Sequence, residues 1–216
     1  MNKLILWVIP NDDFLAHYSS EEKMHKGVWS LFANHNSKRP YIFRVVHGKK
    51  ITVVSIRSSI APEKAPIVGS IEIGDEKALQ KDAAYSLSVI VNPIIEKTID
   101  GKSKRIPLIK PEDIEAWALK RLESNGLSVK RSGNGKPVMT CAPAVRKYMD
   151  DRGKFYITTS NVQAVVKVCD VEKAERIFSQ GIGKERAFGC GMINLVPVND
   201  SSVFLNFSDE NNEEND

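Results

Sequence analysis

Apolar and polar residues follow two rhythms along this chain. Residues 3–9 are a near-continuous apolar run of strand length, as a buried first strand would be. Met24, Val28, Leu31 and Phe32 then recur at i, i+4, i+7 and i+8, the stripe of an amphipathic helix. Ser19 and Glu22 stand ahead of it at capping-box spacing. Residues 41–46 and 51–56 are β-rich runs joined by His47-Gly48-Lys49-Lys50, which predicts a hairpin. Prolines interrupt residues 61–66, and 85–91 read as a further strand ending at Asn92-Pro93. Strand, helix, strand, strand, weak helix, strand is a ferredoxin-like order.

The second half has a similar order without a residue-level repeat. Residues 97–110 read as a polar connector. Pro111 opens a helix at a first-turn position, Ile114, Trp117, Ala118 and Leu122 face inward, and Gly126 ends it. Residues 155–159 and 162–168 predict a hairpin across Ser160-Asn161. A helix over 170–180, with Ala174, Ile177 and Phe178 on one face, leads into a glycine-rich loop and a last strand over 192–198. The expectation is an α+β protein of two tandem ferredoxin-like βαββαβ domains, at 1–93 and 111–200. A basic connector at 94–110 joins them, and a tail follows at 201–216.

Charge narrows the class of partner. The chain carries +4 overall, but residues 208–216 hold five carboxylates and no base. Without them 31 bases face 22 acids, a net of +9 that favours a polyanion. The tail reads as disordered solvating sequence. Residues 97–110 net +4 and residues 130–154 net +5. Either alone fits a solvated segment; together they favour phosphate-backbone contact. Neither has an aromatic-rich stacking motif, so a structured stem suits them better than a single strand. The longest early apolar run, residues 4–10, is too short to span a bilayer, and there is no cleavage-site pattern. Cys141, Cys169 and Cys190 lack paired spacing and read as reduced thiols, with no metal site or cofactor implied. The expected location is the cytoplasm.

Two features carry candidate chemistry. Gly181, Gly183, Gly189 and Gly191 lie within eleven residues, with Lys184 and Arg186 among them. Gly181 alone reads as a helix C-cap, but a cap needs only one glycine. The cluster with its cations fits a concave backbone site for an anion. It is neither a dinucleotide fingerprint, since Arg186 stands where the third glycine belongs, nor a P-loop, since it closes a helix rather than opening one. The other feature is His25, one residue round from the apolar stripe and followed by Lys26. Taken alone, it is more often a surface or half-buried helix residue than a proton carrier.

Met24-His25-Lys26-Gly27-Val28-Trp29 with Leu31-Phe32, then Val91-Asn92-Pro93, Arg105-Ile106-Pro107-Leu108-Ile109-Lys110 and Ala116-Trp117, follow the order of the CasE family. The glycine-rich loop resembles that of RAMP-type RNA-binding proteins generally. CasE proteins are CRISPR repeat-processing endoribonucleases of type I-E Cascade. The resemblance implies a CRISPR repeat RNA stem-loop as substrate and other Cascade subunits as partners. It implies metal-free cleavage at the 3′ base of the stem, leaving a 5′-hydroxyl and a 2′,3′-cyclic phosphate. By position, His25 matches the catalytic histidine, Lys184 and Arg186 would hold the scissile phosphate, and Lys102, Lys104 and Arg105 would track the stem. Some relatives carry a tyrosine three residues before the histidine; here it is Glu22, with His17 or Tyr18 as distant substitutes. A non-catalytic RNA hairpin-binding subunit therefore stays open, as does a small regulatory domain whose loop binds a nucleotide.

Overall fold

In a computed structural model, residues 2–32, 39–150 and 153–198 are described; His35 and the acidic tail lie outside them. Strand β1 (Lys3–Pro10) runs down the middle of a first antiparallel sheet in the order β2-β3-β1-β4, with β2 Tyr41–His47, β3 Ile51–Ser58 and β4 Ser70–Asp75. Helices α1 (Asn11–Tyr18) and α2 (Glu21–Ser30) cover one face. Met24 and Val28 of α2, with Leu31 and Phe32 just past it, close over Ile5, Trp7, Ile9, Phe43, Val54 and Ile56. The helical stripe is thus the inward face of α2. Its N-cap is Ser20, whose hydroxyl accepts from the Lys23 amide at 3.3 Å, so the capping pair expected at Ser19 and Glu22 does not form. Gly27 sits mid-helix because a Cβ there would stand 2.5 Å from the Tyr18 ring.

The second sheet holds β5 (Ala84–Val91), β8 (Leu127–Val129), β9 (Met139–Asp150), β10 (Gly153–Val168) and β11 (Asn194–Pro197), in the order β11-β5-β10-β8 with β9 also on β10. Helices α3 (Pro111–Glu123) and α4 (Val171–Gln180) supply Ala118, Leu122, Ala174, Ile177 and Phe178 to its core. Along the path of this sheet the succession β5-α3-β8-β10-α4-β11 is β-α-β-β-α-β, with β9 as an additional strand on β10. Between β3 and β4 of the first unit there is no helix, so the two halves are not duplicates. Between β5 and α3, β6 (Ile94–Ile99) and β7 (Lys102–Pro107) form a separate two-stranded hairpin where a connector was expected.

Two other expectations fail here. Residues 85–91 were expected to complete the first sheet, but they pair with β10 and β11 of the second. The fourth strand of the first sheet is instead β4, Ser-Ile-Glu-Ile-Gly-Asp, an exposed edge whose acids disguise its strand pattern. The first unit accordingly ends before β5 rather than at 93. Ser160-Asn161 is not a turn either. Ser160 is fully buried, paired to Val91 on one side and Pro143 on the other, within a single continuous strand.

Arg57 of β3 ties the units together. It lies 2% exposed with its ring-facing guanidinium 3.6 Å from the centre of Phe178. It grips Glu76 through two bonds of 2.5 and 2.8 Å and donates to the carbonyls of Phe178 (2.7 Å) and Ile193 (2.9 Å). Those carbonyls lie on either side of the glycine-rich loop.

Candidate functional site

Because Met24 and Val28 are locked into the core, α2 carries His25 on its flank, half-buried and tilted against Trp29 at 6.4 Å. The buried Nδ1 of His25 has no hydrogen-bond partner among the described residues. Burial, and secondarily the charge of Arg39, hold the imidazole below its ordinary pKa of 6.5. A ring so placed is neutral at neutral pH and can take up a proton.

Arg39, just ahead of β2, was not singled out in the sequence. Its guanidinium lies 5.8 Å from the centre of the Tyr41 ring. Burial lowers its pKa most, the Tyr41 side chain works against that, and the charge of Arg186 lowers it further. Arg39 therefore links His25 on one side electrostatically to the glycine-rich loop on the other. The loop's 3-10 turn, Arg186–Phe188, also packs directly on α2. The histidine and the loop thus converge. The signal in the sequence was Lys38-Arg39-Pro40, two bases against a strand start, which composition alone does not separate from other basic pairs.

Within the loop the predicted residues divide. Gly181 and Gly191 serve the backbone's own packing: at positive φ, a Cβ on Gly191 would meet the Ile182 carbonyl at 2.5 Å, and one on Gly181 the Gly191 carbonyl at 2.9 Å. Ile182 donates to Gly191 at 2.9 Å, and Gly191 to Ile90 at 2.6 Å, which pins the loop to β5. Gly183 and Gly189 have only ordinary van der Waals neighbours at their Cβ positions. The amides of Gly183, Lys184 and Glu185 take no acceptor among the described residues, which leaves donors for an anion. Arg186 braces this turn by donating to Gly183 O (3.2 Å) and Gln180 O (2.7 Å).

Lys184 reaches across to Glu96 on β6 at 2.5 Å, and Arg105 on β7 approaches the same carboxylate at 3.6 Å. The Lys184 hydrogen bond and charge hold Glu96 below the usual carboxylate range. This bridge sets the exposed β6–β7 hairpin, with Lys97 paired to Lys104 and Ile99 to Lys102, beside the loop. Lys26 pairs with Glu22 one turn back on α2. Among the described residues no three His, Cys, Asp or Glu side chains form a metal-ligand group, and no helix is long and apolar enough to cross a membrane.

Two antiparallel sheets with helices on them, and a glycine-rich loop between α4 and β11, define a RAMP-type, ferredoxin-like α+β protein. Among solved structures it is similar to Cas6e of Escherichia coli K-12 (TM-score 0.70, 21% identity, 92% of this chain and 100% of that one). It is also similar to Cse3 of Thermus thermophilus bound to an RNA representing a pre-cleavage complex (TM-score 0.77, 18% identity, 91% and 100% covered). A family model described as CRISPR associated protein matches residues 9–197. The Cascade subunit CasE of Escherichia coli K-12 is 25% identical over 194 residues, 82% of this chain and 92% of that protein. The chain belongs to the CRISPR associated protein family, in its CasE group.

Proposed function

We propose that this protein is an endoribonuclease that binds the stem-loop of CRISPR repeat RNA, cuts it without a metal, and stays bound as a Cascade subunit. The observation that carries the reading is His25, held neutral beside Arg39 and against the cationic glycine loop. The relatives support the setting: one is a Cascade subunit, and others are named as CRISPR endoribonucleases bound to RNA. His25 takes the proton from a ribose 2′-OH as its oxygen attacks the adjacent phosphorus. The bond to the 5′-oxygen breaks, that oxygen gains a proton, and the products are a 2′,3′-cyclic phosphate and a 5′-hydroxyl. Arg39, Arg186 and the amides of residues 183–185 face the charge that builds on the phosphoryl oxygens. Lys97, Lys102, Lys104 and Arg105 give the stem's phosphates a basic hairpin to lie against.

The test is a hairpin repeat RNA incubated with the protein in EDTA, with product ends identified. Cleavage to a cyclic phosphate is expected, and His25→Ala abolishes it while binding persists. Intact RNA at enzyme excess refutes the nuclease. One observation favours a non-catalytic hairpin-binding subunit instead. Glu22, where some relatives have tyrosine, is engaged with Lys26, which leaves His25 without a second proton-transfer group from that position. Tight binding without cutting is the result that selects it.

A further inference from the structure

We infer that the cavity between α1, β2 and the Arg186–Phe188 turn holds one unstacked nucleobase from the unpaired RNA next to the cut, with Arg146 on that nucleotide's phosphate. The inference rests on the RNA-cleaving reading above and assigns that site a further subsite.

The cavity encloses about 560 Å³, within the range of sites that take a small planar ligand. Its walls are Phe14, Phe43 and Phe188 with Met24 and Gly189. Phe188 is propped edge-on by Phe155 at 5.5 Å and Phe14 by His47 at 5.1 Å, so the rings are held rather than free to collapse into the space. Aromatic faces of this kind stack any base. The cavity is lined by chain neighbours of the site already described: Met24 precedes His25, and Phe188 ends the turn that begins at Arg186.

Charge selects a nucleotide over an apolar peptide. Arg146 lines the cavity, half-buried, with no carboxylate partner among the described residues. Its charge lowers the pKa of Arg44 after burial does, so two guanidiniums repel across the edge strand β2, and a phosphate relieves that repulsion. At the other side the hydroxyl of Thr52 donates to Asn11 Oδ1 at 3.0 Å, and Asn11 Nδ2 donates to Gly48 O at 3.1 Å. Thr52 has then spent its one proton, so in the 3.0 Å contact with His47 the ring Nδ1 is the donor. The lining therefore offers a base polar edges as well as aromatic faces.

The experiment uses hairpin repeat RNAs with a 2′-deoxyribose at the cut, to block chemistry, and one abasic residue placed in turn at each unpaired position flanking it. Binding is read by fluorescence anisotropy. At one position the abasic RNA binds weaker by on the order of 10-fold. Phe188→Leu or Arg146→Gln erases most of that difference while the other abasic RNAs keep theirs. A flat series, with every abasic RNA within about twofold of the intact one, overturns the subsite and points to a protein partner in the cavity. So does a difference that survives both substitutions. Absence of any hairpin binding would instead sink the RNA-cleaving reading itself.

Discussion

Replacing Arg57 with alanine tests how the two units are held in register. The side chain is 2% exposed and its partner Glu76 10%, so neither charge is dissolved in water. Alanine leaves the Glu76 carboxylate without its bidentate partner and the carbonyls of Phe178 and Ile193 without their donor. Breaking one side of a buried pair costs about 3–5 kcal/mol. The two carbonyl bonds, about 1.5–3 kcal/mol each to a charged donor, are part of that figure rather than additional to it. Against a total stability of about 5–15 kcal/mol this is a large fraction. At about 2–4 °C per kcal/mol for a chain of this size, the melting midpoint falls by roughly 6–20 °C. Thermal unfolding followed by circular dichroism reads it directly. The pair Arg57→Met with Glu76→Leu should recover much of the loss, because the uncompensated charge is then gone. A single Arg57→Ala variant that melts within about 2 °C of the parent would show that the latch contributes nothing.

Three further outcomes are expected. Burial and then Arg39 depress His25, so the histidine-dependent limb of the cleavage pH profile has its midpoint below 6.5 and rises with pH if the neutral ring is the base. Arg39→Gln removes one of the two depressing causes and moves that midpoint up; an unmoved limb refutes the coupling. Gly191→Ala forces a Cβ against the Ile182 carbonyl at positive φ, which lowers the melting midpoint and, by unseating the loop from β5, weakens RNA binding in the same titration. Gly27→Ala gains helix propensity of about 0.5–1 kcal/mol, but it drives a methyl into Tyr18. A net loss of stability is therefore expected, and a gain would show that Tyr18 moves freely.

The parts of the fold legible in the sequence are those set by one local rhythm. The stripe Met24, Val28, Leu31, Phe32 points inward as its spacing requires, and α4 buries Ala174, Ile177 and Phe178. Periodicity says which face of a strand is buried but not which sheet it joins, so β5 was assigned to the wrong neighbours. Ser160-Asn161 carries turn-forming residues whose local preference is overridden by partners on both sides. The candidate site was legible in its two ends and not in its middle. His25 and the glycine loop stand out by residue type, whereas Arg39 is one arginine in a basic chain until folding buries it. Nor could spacing reveal that Gly181 faces the Gly191 carbonyl and Gly191 the Ile182 carbonyl, while Gly183 and Glu185 leave amides open.

The cations of this surface fall into two kinds, and the difference bears on how the proposed site would work. Lys184 and Arg105 share Glu96, and Lys26 is held by Glu22, so these rim charges are partly neutralised and mainly shape the surface. Arg39, Arg44, Arg146 and Arg186 have no carboxylate among the described residues; burial lowers the pKa of Arg39 and Arg44, and the charge of Arg186 lowers the first further as that of Arg146 does the second. Half-buried charges screen poorly, so this repulsion is a standing cost of the free protein. Folding tolerates it because Arg57, in the same seam, is fully compensated and holds the units against the strain. A polyanion laid along the seam removes the repulsion and gains the attraction together. The differential is largest at a phosphate whose charge is increasing, which is where a cleavage transition state would place it.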